Sequence, residues 1–290
     1  MPIADALRER NALEKLRRFG PLRWALRTAD FPMWRSVRGA AQPVRLRWLQ
    51  HMSYYLPSHG AEPELAALMI ALVRELPVRS FVDVGANFGY YSWLLQDHTH
   101  GSLEIHLFEP DPGNLRLVRQ TLGRRPEAAT VHPVALGAAD GTALFYRDLD
   151  SGHRGSLLAE AGLADAVTMP VRRLDAEVTA PPPLTLVKVD VEGAEEQVLA
   201  GADELLHTEP VVVVECYHDD GAAAWRQLGA LPGYSVSDAV TMGPVTDATT
   251  NYLATPPGVD ADARRRVEDE RNRLLRLPKL TLARPARPRG

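Results

Sequence analysis

The chain of 290 residues contains one cysteine, Cys216, so it holds no internal disulfide and suits a reducing compartment. Its longest uncharged apolar run, Leu65–Val73, is too short to span a bilayer, and no transmembrane segment is expected. The opening MPIADALRER has no signal-peptide core, so export is not expected and a cytoplasmic location is. No Cys/His spacing suggests zinc. Also missing is a G-x-G-x-x-G turn, whose middle glycine would make room for a pyrophosphate. Basic residues are scarce in the middle of the chain. Residues 1–50 carry 11 Lys/Arg against 4 Asp/Glu, residues 260–290 carry 10 against 5, and the body between is left at −16. An acidic body argues against a nucleic-acid substrate. The basic ends are expected to pack on that body, or to pair with it across a homodimer built through the N-terminal extension. An anionic membrane surface or carrier protein is the alternative use.

What is present centres on Ser80–Leu95, SFVDVGANFGYYSWLL. Ser80 to Asp83 reads as a buried parallel strand, Gly85-Ala-Asn-Phe-Gly89 breaks it, and Tyr90 opens a helix. Such a strand, turn and helix set backbone N–H groups and a positive helix end at a strand's carboxyl edge, where a nucleotide-like ligand binds. The next strand, Leu103–Phe108, ends at Glu109, 24 residues beyond Gly85. An acid at that distance accepts hydrogen bonds from two ribose hydroxyls, because a carboxylate offers two acceptors to adjacent donors. Pro112–Leu122 is a helix with Asn114 near its start. Thr130–Leu136 is a third strand whose end, Ala135 and Leu136, is expected to pass an adenine.

Residues 137–183 are too many for a simple crossover. Two strand-like runs, Thr142–Arg147 and Val167–Leu174, flank the loop SGHRGS, which reads as an inserted hairpin over the ligand face with His153 and Arg154 at its tip. A strand at Leu184–Val189 follows, then Asp190 and a helix over Ala194–Leu205. Lys188 and Asp190 lie two apart and so face one side of the strand. A partly buried lysine there holds the acid ionised. Helix capping by itself accounts for Glu192 and Glu195. Pro210–Val214 leads to Glu215-Cys216-Tyr217-His218, adding an acid and a histidine to the same edge. Asn251–Thr255 is the last strand and Asp260–Leu277 a charged helix. An amphipathic helix is expected over residues 3–19, then Trp24, Trp34 and Trp48 in an N-terminal layer. The alternation of strand and helix means a doubly wound α/β sheet. The domains read as an N-terminal helical and irregular extension over 1–58, a core over 59–257 and a C-terminal helix with a basic tail over 258–290.

From about His59 to Pro256 the chain resembles the FkbM-type family of class I S-adenosylmethionine (SAM) methyltransferases. The resemblance rests on EPEL, FVDVGANFGYYS, FEPDPGN, HPVALG, VKVDVEGAEEQVLAGA, VVVECYH and NYLAT. It implies a mostly parallel, seven-stranded Rossmann-like sheet and SAM as methyl donor. Asp83, Gly85, Asn87, Gly89, Tyr90, Glu109, Asn114, Ala135, Leu136 and Asp190 would then contact the donor. The acceptor it implies is a hydroxyl on a small molecule or sugar, as in natural-product or glycan tailoring. A peptide or protein acceptor, or a non-catalytic binding module, stays open. Methyl transfer from a sulfonium needs alignment and the removal of one proton. Asp190 is the expected base or orienting group, tuned by Lys188, with Glu215 and then His218 beside it. Asp190, Glu192 and Glu215 are all-oxygen groups of the kind magnesium prefers, but spacing alone does not show a metal site, and none is assigned.

Overall fold

The computed structural model describes residues 30–56, 62–99, 101–125, 129–147, 155–156, 165–179, 184–216 and 221–277. The helix expected over 3–19, Trp24, His153, Arg154, His218 and the basic tail lie outside those residues.

In chain order the elements begin with a ribbon of β1 (Pro32–Arg35) and β2 (Val44–Arg47), helix α1 (Met52–Tyr55) and helix α2 (Pro63–Glu75). The first alternating units are β3 (Ser80–Val84), α3 (Tyr90–His98), β4 (Glu104–Phe108), α4 (Pro112–Leu122) and β5 (Thr130–His132). An insertion follows, with β6 (Ala135–Leu136), β7 (Gly141–Arg147), β8 (Gly155–Ser156), β9 (Asp165–Arg172) and α5 (Leu174–Glu177). The second half runs β10 (Thr185–Val189), α6 (Glu195–Ala200), α7 (Asp203–Leu206), β11 (Val211–Glu215) and α8 (Gly221–Gly229), then β12 (Ser235–Asp238), β13 (Asn251–Thr255) and α9 (Ala261–Arg276).

Seven strands form the main sheet in the order β12-β13-β11-β10-β3-β4-β5. Only β13 runs against its neighbours. The central strands are valine-rich and buried from end to end, as a parallel sheet covered on both faces requires. Alternation divides them between two cores. Phe81, Leu107, Leu186, Val213 and Leu253 pack with α2, α3, α4 and α9. Val82, Phe108, Val187, Val214 and Ala254 pack with α5 to α8 on the opposite face. The same period of two continues to the carboxyl edge, where it places a row of polar side chains.

Where structure and sequence reading differ, the causes are local. The single strand expected over Thr130–Leu136 is two. Pro133 has no N–H to give a ladder, so Thr130–His132 pairs with β4 while Ala135 and Leu136 pair with Val171 and Arg172 of β9 in another sheet. The hairpin expected in 137–183 is present as β7 and β9, in register from Gly141↔Val171 to Arg147↔Asp165. It belongs to a four-stranded sheet of order β6-β9-β7-β8. The helix expected over Ala194–Leu205 is interrupted at Gly201, where a Cβ would stand 2.1 Å from the Gly137 carbonyl oxygen. That glycine lets the end of α6 touch the entry to the inserted sheet.

The described parts of both basic ends pack on the body. The Arg45 N–H donates to Thr121 Oγ1 (2.9 Å), and the Arg124 guanidinium stacks 3.6 Å from the centre of the Trp34 ring. Buried Arg125 bridges Asp97 and the Gln42 carbonyl (3.0 Å). On the other side, Arg74 of α2 bonds Glu270 of α9 at 2.8 Å. Among the described residues no helix is long and apolar enough to cross a membrane.

Candidate active site

The first core ends, at the carboxyl edge of the sheet, in a row of polar side chains. Asp83 follows Phe81, Lys188 follows Leu186, Glu215 follows Val213, and Asn251 precedes Leu253 on the antiparallel strand. Register confirms the alignment: Lys188 lies beside Asp83, and Glu215 beside Asn251. All four are buried. Glu109 and Asp190 fall one step past their strands with the same alternation. One face therefore gathers five acids and amides around a single lysine.

Lys188 is 2 % exposed and donates to Asp190 Oδ2 at 2.7 Å. Its ammonium also stands 4.9 Å from the centre of the Tyr91 ring. Burial pulls the Lys188 pKa down, but Asp190, Glu215 and Asp83 outweigh it and hold the lysine above its ordinary value. The ion pair expected from the two-residue spacing is thus made, and its cation serves three carboxylates. Asp83, 1 % exposed, accepts from the Ser92 hydroxyl (2.6 Å) and the Ser92 N–H (3.2 Å) through Oδ2. Burial raises its pKa against the pull of Lys188 and Ser92. Asp83 Oδ1 and Asn87 Oδ1 are buried without a protein partner.

The glycine turn does something the sequence did not suggest. It was expected to offer free N–H groups and, at Gly85, room for a ligand. Instead Gly85 and Ala86 both donate to the Phe108 carbonyl (3.1 and 3.0 Å), Gly89 donates to Ala86 O, and Asn87 donates to Glu109 Oε2 at 2.7 Å. Gly85, with φ +78°, is required by a protein contact: a Cβ there would lie 1.8 Å from the Asp190 carbonyl oxygen. Asn87 takes the left-handed conformation (φ 56°), which asparagine tolerates. The turn is thus shaped for acceptors rather than for an anion.

Glu109 is fixed by two backbone donors, Asn87 to Oε2 and Asp111 to Oε1 (2.8 Å). Burial pushes its pKa up to about 8, with the backbone N–H groups and the Asn114 side chain pulling the other way. Asn114 sits where α4 begins, its N–H on the capping Asp111 carboxylate (2.9 Å). Tyr90 is tied to the N-terminal segment. Its hydroxyl donates to the Arg38 carbonyl (3.0 Å) and its ring packs against Tyr54. Ala135 and Leu136 are buried and paired with β9. Glu195 receives the Val191 and Gly193 N–H groups of the loop ahead of α6, so it ties down that loop, and α6 carries no side-chain cap.

Sequence reasoning passed over four residues here. Ser92 holds Asp83, and no spacing rule singles it out. Asn251, buried with Oδ1 unpartnered, opens NYLAT, and its alternation with Leu253 was the available signal. Glu62 accepts from the Tyr91 hydroxyl at 3.0 Å. Tyr54 has its pKa raised by burial, then by Glu62 and Asp190. Tyr54 comes from a stretch with no periodicity to read, whereas Glu62 opens the EPEL motif, where its acid was given no role.

The model of the methyltransferase FkbM domain matches residues 83–236. The chain belongs to the FkbM methyltransferase family. The match starts at Asp83 and stops in β12, so EPEL and NYLAT lie outside it. Among solved structures the chain is similar to an FkbM methyltransferase from Methylobacillus flagellatus, with 22% identity and a TM-score of 0.45, covering 61% of this chain. The chain spans 43% of that protein's length. It is also similar to a precorrin-6y C5,15-methyltransferase from Geobacter metallireducens, with 16% identity and a TM-score of 0.39, covering 66% of this chain and 85% of that one. Comparison with curated proteins finds no match.

Proposed function

We propose that this FkbM-family methyltransferase uses SAM as donor and methylates a hydroxyl on a small molecule or sugar. The carrying observation is the polar row at one sheet edge with the turn beside it, where the buried, unpartnered atoms Asp83 Oδ1, Asn87 Oδ1 and Asn251 Oδ1 are all acceptors. SAM is rich in donors and positive charge: an ammonium, two ribose hydroxyls and a sulfonium. The residues present therefore fit it. When bound it supplies a methyl group already activated by the charge on sulfur.

Asp83 and Asn87 are assigned to the charged amino-acid end of the donor, and Glu109 to the ribose hydroxyls. In the ionised form both Glu109 oxygens keep a second lone pair beyond their backbone bonds. Gly85 and Gly89 shape the turn, and Asn114 steadies Glu109. The acceptor is assigned to the ends of β10, β11 and β13. There Lys188 occupies Asp190 Oδ2 alone, which leaves Oδ1 to orient a hydroxyl and take its hydrogen bond as the oxygen attacks. Asp190 acts first through orientation, with the proton passing on to Glu215 or to water. The buried row contributes by excluding solvent and fixing geometry, which is most of what this reaction demands.

A thermal-shift titration with S-adenosylhomocysteine, run beside NAD and with Glu109→Ala, tests the donor assignment. A ligand that binds only the folded chain adds roughly 2.7 kcal/mol at 100 times its Kd. A saturable rise in wild type, weakened in Glu109→Ala and absent with NAD, is expected. No shift at millimolar ligand would overturn the reading. Mass spectrometry of products carrying an isotopically labelled methyl group then identifies the acceptor, and label on nitrogen or on a carboxyl group would refute O-methylation.

A further inference from the structure

On the face of the sheet away from the polar row, four titratable side chains form a chain. Glu104 Oε1 meets His106 Nε2 at 3.0 Å, His106 Nδ1 meets His132 Nε2 at 3.2 Å, and His132 Nδ1 meets Glu177 Oε2 at 2.9 Å. Each contact needs one proton between its two heavy atoms. Ionised carboxylates supply none, and two neutral imidazoles supply only two. The third belongs to one extra proton, which gives the ring pair a single positive charge. With no extra proton, two lone pairs face each other or an end contact is lost. With two, N–H groups and like charges face each other. One proton is the only number that satisfies all three contacts.

We propose that His106 and His132 form a one-proton binding site that fastens edge strand β5 and helix α5 to the sheet through Glu104 and Glu177. Burial pushes the His132 imidazole below its ordinary pKa, with Glu177 pulling it back up. His132 is therefore the ring that stays neutral, as the Nδ1–H tautomer that donates to Glu177. The charges that act on His132 are Glu177 and His106. Asp175 of α5 is taken by Arg173 (2.8 Å) and by the Glu204 and Leu205 N–H groups, and Glu109 lies on the opposite face. The neighbouring positions of β3 and β10 are Val82 and Val187.

The location gives the proton leverage. β5 is a three-residue edge strand, and His132 stacks 4.2 Å from Phe108. The His132 carbonyl accepts the Glu109 N–H (3.2 Å), and the Phe108 carbonyl holds the Gly85–Ala86 turn. The proton thus tightens the outer wall of the polar row. This inference stands on the hydrogen-bond chain alone and does not depend on the proposed reaction.

The test is a 15N-histidine NMR titration of the full chain from pH 8 to pH 5, with His106→Gln and His132→Gln assigning the two rings. The pair is expected to take up one proton in that range, with His132 keeping its Nδ1–H form throughout. Amide exchange in β5, corrected for its intrinsic pH dependence, should slow about tenfold as the proton binds, the worth of one hydrogen bond. His106→Gln should abolish that step. Uptake of two protons, or β5 exchange indifferent to the titration in wild type, would overturn the proposal.

Discussion

A Cβ placed on Gly85 would stand 1.8 Å from the carbonyl oxygen of Asp190. The two informative stretches of the sequence, VDVGANFG and VKVDVEGAE, therefore touch through their backbones, and the Asp190 N–H in turn donates to the Val84 carbonyl at 3.1 Å.

Gly85→Ala should be among the most damaging single-methyl changes in the chain. It combines a left-handed φ with overpacking against backbone, each worth roughly 1–3 kcal/mol. Urea unfolding measures the loss. A variant within half a kcal/mol of wild type, about the scatter of a neutral surface change, would show that the contact yields easily.

Glu109 carries a pH prediction. Its folded-state pKa, about 8, lies above the ordinary 4.5, so the folded chain binds the extra proton between those values. Its contribution to stability is complete below about 4.5 and is lost as pH rises through about 8. Glu109→Gln should flatten that part of the stability–pH curve in the ligand-free protein, and also weaken S-adenosylhomocysteine. Melting curves from pH 5 to pH 9 decide it, and an unchanged slope would rule Glu109 out as its source.

Lys188→Met removes the buried cation that faces Asp190, Glu215 and Asp83. Breaking a buried pair by deleting one partner costs about 3–5 kcal/mol. Asp83, already raised by burial and now without Lys188, should be pushed higher. A raised carboxyl favours the fold at low pH and loses that contribution as pH rises. The variant should therefore sit nearest wild type near pH 5 and furthest above pH 8. Equal destabilisation at both ends would remove Asp83 from the explanation.

Asp190→Asn should lose turnover of the labelled acceptor while keeping S-adenosylhomocysteine affinity. The side chain is 27 % exposed, so folding should survive the change. Unchanged kcat would take Asp190 out of the reaction.

Much of this was legible because one rule, alternation along buried strands, governs both core and edge. It set Lys188 beside Asp190 and gave β3, β10, β11 and β13 within a residue or so of their limits. What was hidden depended on contacts between distant segments. Nothing near Gly85 in sequence announces the Asp190 carbonyl, and the turn's amides are spent on Phe108 and Glu109, partners found only after the sheet is assembled. Pro133 was a visible signal left unused, and it splits the third strand. Tyr54 reaches the site from a segment without periodic pattern, and Glu62 from the start of the EPEL helix.

The row of polar side chains at the sheet edge also makes the molecule sensitive to parity. Core and site share one reading frame of side chains, so an insertion of a single residue within β10 would exchange Lys188 for a valine at the edge and turn the lysine into the opposite core. A two-residue insertion would preserve the frame and lengthen the strand. The chain can therefore change the depth of its site in steps of two residues, whereas a step of one costs it core and chemistry together.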